Sequence, residues 1–140
     1  MSRRDGLTNL FNFRGGQDEW ARACREATRR NEAISIVFID LVGFKQTNDR
    51  HGQPAGDRVL QAVANTLLKS VRPADVVCRP GGDEFMVILP RTDAEGAARA
   101  IRRIEHGMAA MTVQLNGEDL HGVAFRHTEA TETMPRVTDP

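Results

Sequence analysis

Apolar residues recur along the chain at two different spacings, and the alternation of these spacings predicts its elements. Residues 17 to 31 carry Trp20, Ala23, Cys24 and Ala27 at helical intervals, with Gln17-Asp18-Glu19 at the positive end, and read as a helix. Residues 33 to 40 form a nearly continuous apolar run ending in Asp40, the pattern of a strand buried on both faces. Residues 57 to 72 place Val59, Leu60, Val63, Leu67, Leu68 and Val71 on one stripe, and Pro73 ends that helix. Short apolar runs at 75–79 and 85–89 read as two strands joined by Gly81-Gly82-Asp83-Glu84, since paired glycines permit the positive φ of a tight hairpin. A third helix is expected over 93–110, from Ala97, Ala100, Ile101, Ile104 and Met108. Strands follow at 112–115 and 120–125, around an Asn116-Gly117 turn.

The segments between are polar. Residues 1–16 read as an irregular lead-in. Residues 41–56, with Gly43, Gly52, Pro54 and Gly56, read as a short helical turn and loop. Residues 126–140 carry two prolines and read as a frayed, flexible tail. The order α, β, α, β-hairpin, α, β, β predicts an α+β sandwich: a ferredoxin-related, palm-like central sheet with helices packed on it. With 140 residues, one domain is expected, with its body over 17–126.

Composition narrows the function classes. The chain has 19 basic and 19 acidic residues, a balance that argues against a nucleic-acid binder. Its basic residues are arginines except Lys45 and Lys69. Cys24 and Cys78 each lie in an apolar pattern and read as free thiols of a reducing compartment. The four histidines show no metal-ligand spacing. No stretch is apolar and long enough to span a membrane and no signal peptide is present, so a cytoplasmic location without membrane contact is expected.

The acidic loops carry the candidate chemistry. If the strand ending in Asp40 neighbours the hairpin, then Asp40, Asp83 and Glu84 converge, and like charges so placed require a cation. Oxygen ligands of this kind suit Mg²⁺, or Mn²⁺, which retains waters and binds phosphates. Backbone N–H groups at Gly43 and Phe44, beside the Lys45 ammonium, would cradle phosphate. Asp57 can accept from guanine N1–H and the exocyclic amine, and Asn48 can read another edge. Adenine would set two acceptors face to face and be rejected. Taken singly, each residue has an ordinary reading: a solvated turn acid, a strand-end cap, a helix N-terminal aspartate, a solvated lysine. Their order and spacing together favour the chemical one.

These stretches resemble the GGDEF domain, the catalytic domain of bacterial diguanylate cyclases. The matching residues are Asp5-Gly6-Leu7-Thr8, Phe38-Ile39-Asp40, Phe44-Lys45, Asn48-Asp49, Gly56-Asp57 and Arg79-Pro80-Gly81-Gly82-Asp83-Glu84-Phe85, with a weaker continuation at Gly122-Val123-Ala124. The resemblance implies a nucleotidyl-cyclase palm that condenses two GTP into cyclic di-GMP with release of pyrophosphate. It implies that Asp40, Asp83 and the Leu41 carbonyl bind Mg²⁺. Glu84 would assist the metal or activate the ribose 3′-hydroxyl. Gly43, Phe44 and Lys45 would contact phosphate, Asn48 and Asp57 would read guanine beside Leu60, and Gly81 and Gly82 would border the substrate. It implies a homodimer with two domains facing across a two-fold axis, and a sensory module upstream in the parent protein.

Arg72-Pro73-Ala74-Asp75 matches the family's RxxD inhibitory site, where cyclic di-GMP would bind. Several positions depart from the family. Val42 stands where a second acid is usual, Gly43 where a bulky residue is usual, Gln53 replaces a histidine and Asn9 a glycine. The family's final helix, with its phosphate-contacting Ala-Lys and Gly-Arg segment, has no counterpart after residue 124. These departures leave an alternative: a catalytically impaired domain that binds GTP or cyclic di-GMP and signals by contact.

Overall fold

The computed structural model describes residues 2–133. Its elements run α1 (Phe13–Arg30), β1 (Ala33–Leu41), α2 (Phe44–His51), α3 (Gln53–Ser70), β2 (Val76–Gly81), β3 (Glu84–Pro90), α4 (Ala94–Ala110), β4 (Thr112–Leu115), β5 (Glu118–His121) and β6 (Phe125–Thr133). The main sheet has the order β2-β3-β1-β6 and every neighbouring pair is antiparallel. The mixed α+β palm expected from the pattern is the fold.

Side chains alternate across β1, and each face has its own core. Val37, Ile39 and Leu41 join Val87 and Leu89 of β3 in the larger core, with Val63 and Leu67 of α3 and Ala97, Ile101 and Ile104 of α4. Ile34 and Ile36 turn to the other face, where Ala27, Trp20 and Ala23 of α1 pack with Cys78 and Ile88. Asp40, the next-to-last residue of β1, is exposed, while Leu41 after it turns into the larger core.

Four boundaries differ from the sequence expectation. The first helix begins at Phe13, within the segment read as irregular. Gly15 and Gly16 look like helix breakers, yet both are buried inside α1. A Cβ on Gly15 would lie 2.3 Å from the Arg3 carbonyl oxygen, and one on Gly16 3.2 Å from Cys78 Sγ. The glycines therefore let the helix lie close against its neighbours. Asn12 caps the start, its Oδ1 accepting from the Gly15 N–H at 2.9 Å. Second, the 41–56 segment is mostly helical. Gly43 (φ +80°) opens α2, Gly52 (φ +87°) ends it, and α3 starts at once with proline in its first turn.

Third, the expected strand at 120–125 breaks at Gly122, whose φ is +74°. β4 and β5 form a separate hairpin across Asn116-Gly117. Gly122 and Val123 donate to the Met111 and Met108 carbonyls, so the matching Gly-Val-Ala lies in a connection rather than a strand. Fourth, the segment from 126 is no frayed tail as far as 133. β6 pairs with β1 from Leu41↔Phe125 to Ala33↔Thr133. Its side chains are nearly all exposed, so it lacks the apolar alternation that marks a half-buried strand. Ser35, fully buried, shares a 2.8 Å hydrogen bond with Thr131 across this pair. Residues 134–140 of the expected tail lie outside the described residues.

Candidate active site

β1 and β3 bring the signature acids to one end of the sheet. Asp40 lies directly opposite Glu84 in the antiparallel register, so their side chains share a face. One step further, the Leu41 N–H donates to the Asp83 carbonyl at 3.1 Å. Asp83 occupies the turn between β2 and β3, where Gly82 takes φ +54°. Asp40, Glu84 and Asp83 make no ion pair among the described residues. On its other side Asp40 faces Arg126 of β6 in register, without a contact between the side chains short enough to be an ion pair. Among the described residues, no three Asp, Glu, His or Cys side chains are drawn together as a complete metal cage. Asp40 and Glu84, facing one another at this strand end, nevertheless offer oxygen donors of the kind that suit an ion keeping part of its water shell. Two like charges directly opposite on a strand pair, lacking a bonded cation, are the kind of donor set that such an ion relieves.

The β2–β3 turn is held from behind. Arg79 donates through Nε and Nη2 to the Gly82 carbonyl, at 3.0 and 2.8 Å. Its Nη1 reaches both oxygens of Asp5, at 2.9 and 3.0 Å. Asp5 also accepts from the Thr8 backbone and hydroxyl at 2.9 and 2.7 Å. Burial pushes the Asp5 carboxyl upward, but the Thr8 bonds and the Arg79 guanidinium outweigh it and hold the group below its ordinary value.

The α2 start is open and exposed. Gly43 precedes it without any side-chain cap, leaving first-turn N–H groups free beside exposed Lys45. Asn48 lies at the α2–α3 junction, where its Oδ1 is buried and lacks a hydrogen-bond partner. A Cβ on Gly56 would sit 1.7 Å from that atom, so the glycine makes room for the amide. Asp57 is next in sequence and half-buried. Because α3 begins at Gln53, Asp57 lies in the second turn, beyond a capping position. Leu60 is buried in the main core at 2 % exposure. Gly81 is half-buried and Gly82 exposed, at the turn itself.

Arg72 and Asp75 stand apart from these groups, after α3. The Asp75 side chain is fully buried and accepts from the Arg72 backbone N–H at 2.8 Å and Nη2 at 3.1 Å. Arg72 Nη2 also donates to the Pro90 carbonyl and to Thr92 Oγ1. A cavity of about 470 Å³ opens beside them, lined also by Arg91, Arg99 and Arg103.

Sequence reasoning missed Asp5 and Arg79 as site-supporting residues. Both carried a faint signal, as the polar residues of two matching stretches.

A family model described as "Diguanylate cyclase, GGDEF domain" matches residues 2–132. The diguanylate cyclase TpbB of Pseudomonas aeruginosa is 36% identical over 139 residues, covering 99% of this chain and 32% of that protein. The GGDEF domain of DgcB from Caulobacter crescentus, solved in complex with c-di-GMP, superposes with a TM-score of 0.87 at 31% identity, covering 96% of this chain and 80% of that one. The diguanylate cyclase SiaD from Pseudomonas aeruginosa, solved with its activator SiaC, gives a TM-score of 0.89 at 28% identity, over 97% of this chain and 52% of that one. The chain spans less than a third of the length of the curated relatives it matches.

Proposed function

Because the chain belongs to the GGDEF family of diguanylate cyclase domains, we propose that it condenses two GTP into cyclic di-GMP with release of pyrophosphate. The observation that carries this reading is the cross-strand Asp40–Glu84 pair beside the Asp83 turn, an acidic strand end without a bonded cation of its own. Asp40, Asp83 and the Leu41 carbonyl would hold Mg²⁺ or Mn²⁺, which would supply neutralisation of triphosphate charge and activation of the attacking hydroxyl. Glu84 faces the same side as Asp40 and receives the ribose 3′-hydroxyl proton. Free N–H groups at Gly43 and Phe44 bind phosphate oxygens, and Lys45 adds its charge. Gly81 and Gly82 keep the border of the site free of side chains.

Asn48 and Asp57 select guanine. Their placement supports this, since Asn48 packs against Gly56 at the α2–α3 junction and half-buried Asp57 follows directly in sequence. Leu60 packs beneath them. One domain holds one nucleotide, so turnover takes two copies facing across a two-fold axis. Cyclic di-GMP binds back at Arg72, whose guanidinium is half-exposed, while buried Asp75 orients it and fixes a non-productive arrangement. In the parent protein an upstream sensory module governs the pairing.

A second reading has one observation in its favour. Val42 stands exposed two residues after Asp40, at a position where the family usually carries a second acid, consistent with a domain that binds nucleotide without turnover. Fusing the chain to a dimeric coiled coil and incubating it with GTP and Mg²⁺ separates the two. Cyclic di-GMP is the expected product, and Asp83→Ala lowers its formation at least about a thousandfold. Tight cyclic di-GMP binding with no product would establish the second reading instead.

A further inference from the structure

We propose that the groove between α3 and α4 is a docking site for an acidic amphipathic helix of a partner protein. Lys69 of α3 and Arg99, Arg102, Arg103 and His106 of α4 line this shallow, open groove, which includes no carboxylate in its lining. None of these five residues makes an ion pair among the described residues. On α1, by contrast, Arg22, Arg29 and Arg30 are neutralised by Glu19 and Glu26. In a chain of zero net charge, a groove with four unpaired cations, Lys69, Arg99, Arg102 and Arg103, is a local excess that attracts an anionic partner.

The shape and spacing favour a helix. Arg99 and Arg103, like Arg102 and His106, are four residues apart, so the basic groups form a stripe along one face of α4 about 10 Å long. A helix with carboxylates at the same intervals meets that stripe in register. Gly107 allows the close approach of the two helices, since a Cβ there would lie 2.9 Å from Ser70 Oγ. Ala62, Ala110 and Met111 give the lining an apolar part, which a simple anion would leave in water and an amphipathic helix would cover. Arg103 Nε is already fixed on the Ser70 carbonyl at 3.0 Å, so its guanidinium is partly organised before any partner arrives.

The test uses the full chain and a labelled peptide helix with glutamates at i, i+4 and i+7 and leucines on the adjoining face, read by fluorescence anisotropy. A scrambled peptide of the same composition, duplex DNA and vesicles of phosphatidylglycerol with phosphatidylcholine serve as competing occupants. The helix is expected to bind most tightly and to weaken with salt. The Lys69→Glu/Arg102→Glu variant, which spares the residues shared with the Arg72 cavity, is expected to reduce its affinity about tenfold or more. Circular dichroism checks folding, and Lys69→Gln/Arg102→Gln replaces the variant if it misfolds. Unchanged affinity in the folded variant overturns the proposal. So does tighter binding of DNA or vesicles, or equal binding of the scrambled peptide.

Discussion

Arg79 links Asp5 to the carbonyl of Gly82, joining the start of the chain to the acidic turn through one guanidinium. The turn that carries Asp83 is thus braced by a residue 74 positions upstream of its brace. Both side chains are mostly buried, at 13% and 17% exposure, so solvent screens the pair weakly. Arg79→Ala should cost about 1–3 kcal/mol in urea unfolding, because it leaves the Asp5 carboxylate with only its Thr8 bonds and the Gly82 carbonyl without its guanidinium donors.

The Asp5 carboxyl also predicts a pH dependence. Its folded value lies below its ordinary one, so the stability it contributes is complete above the ordinary carboxylate value. That contribution is lost as pH falls through the folded value. Asp5→Asn should therefore be less stable than the parent at neutral pH and lose less on acidification. Parallel acid limbs for the two proteins, by thermal unfolding from pH 7 downward, would contradict the assignment.

Glu84 and Asp40 face one another with like charge. Glu84→Gln should raise the stability of the metal-free protein by about 0.2–1 kcal/mol. Mg²⁺ should raise the melting temperature of the parent and leave that of Asp40→Asn unchanged. Calorimetry with and without the ion reads both effects.

Gly56 tests the guanine contact. Glycine to alanine inside a helix normally stabilises by up to about 1 kcal/mol. Here the added carbon would lie 1.7 Å from Asn48 Oδ1, so the Asn48 side chain must turn away from its place at the junction. Gly56→Ala should change stability by less than about 1 kcal/mol yet bind GTP more weakly by titration calorimetry, with a smaller preference over ATP.

Arg72 has two roles to separate. Arg72→Ala removes two guanidinium bonds from a fully buried carboxylate and should cost about 2–3 kcal/mol. It should also relieve inhibition by cyclic di-GMP, measured as the product concentration that halves the initial rate. An unchanged inhibition constant would restrict Arg72 to the structural role.

The α3 stripe, the apolar run of β1 and the Gly-Gly hairpin were legible because burial imposes their periods on the residues themselves. The site acids were legible as a set of spacings. Helix starts were less so: Gly15 and Gly16 sit inside α1 for close contact, and Gln53 and Pro54 open α3 upstream of its apolar stripe. β6 was hidden because its order comes from backbone pairing with β1, which leaves no mark on exposed side chains. The Asp5–Arg79 pair was hidden because no local pattern joins residues so far apart.

The polar strand after residue 124 matters wherever the gene is cut for expression. A fragment ending there would strip β1 of one flank over nine consecutive residue pairs and bare its amide ladder from Ala33 to Leu41. Such an open edge invites strands from other molecules, so shortened versions should clump where the longer chain stays dispersed.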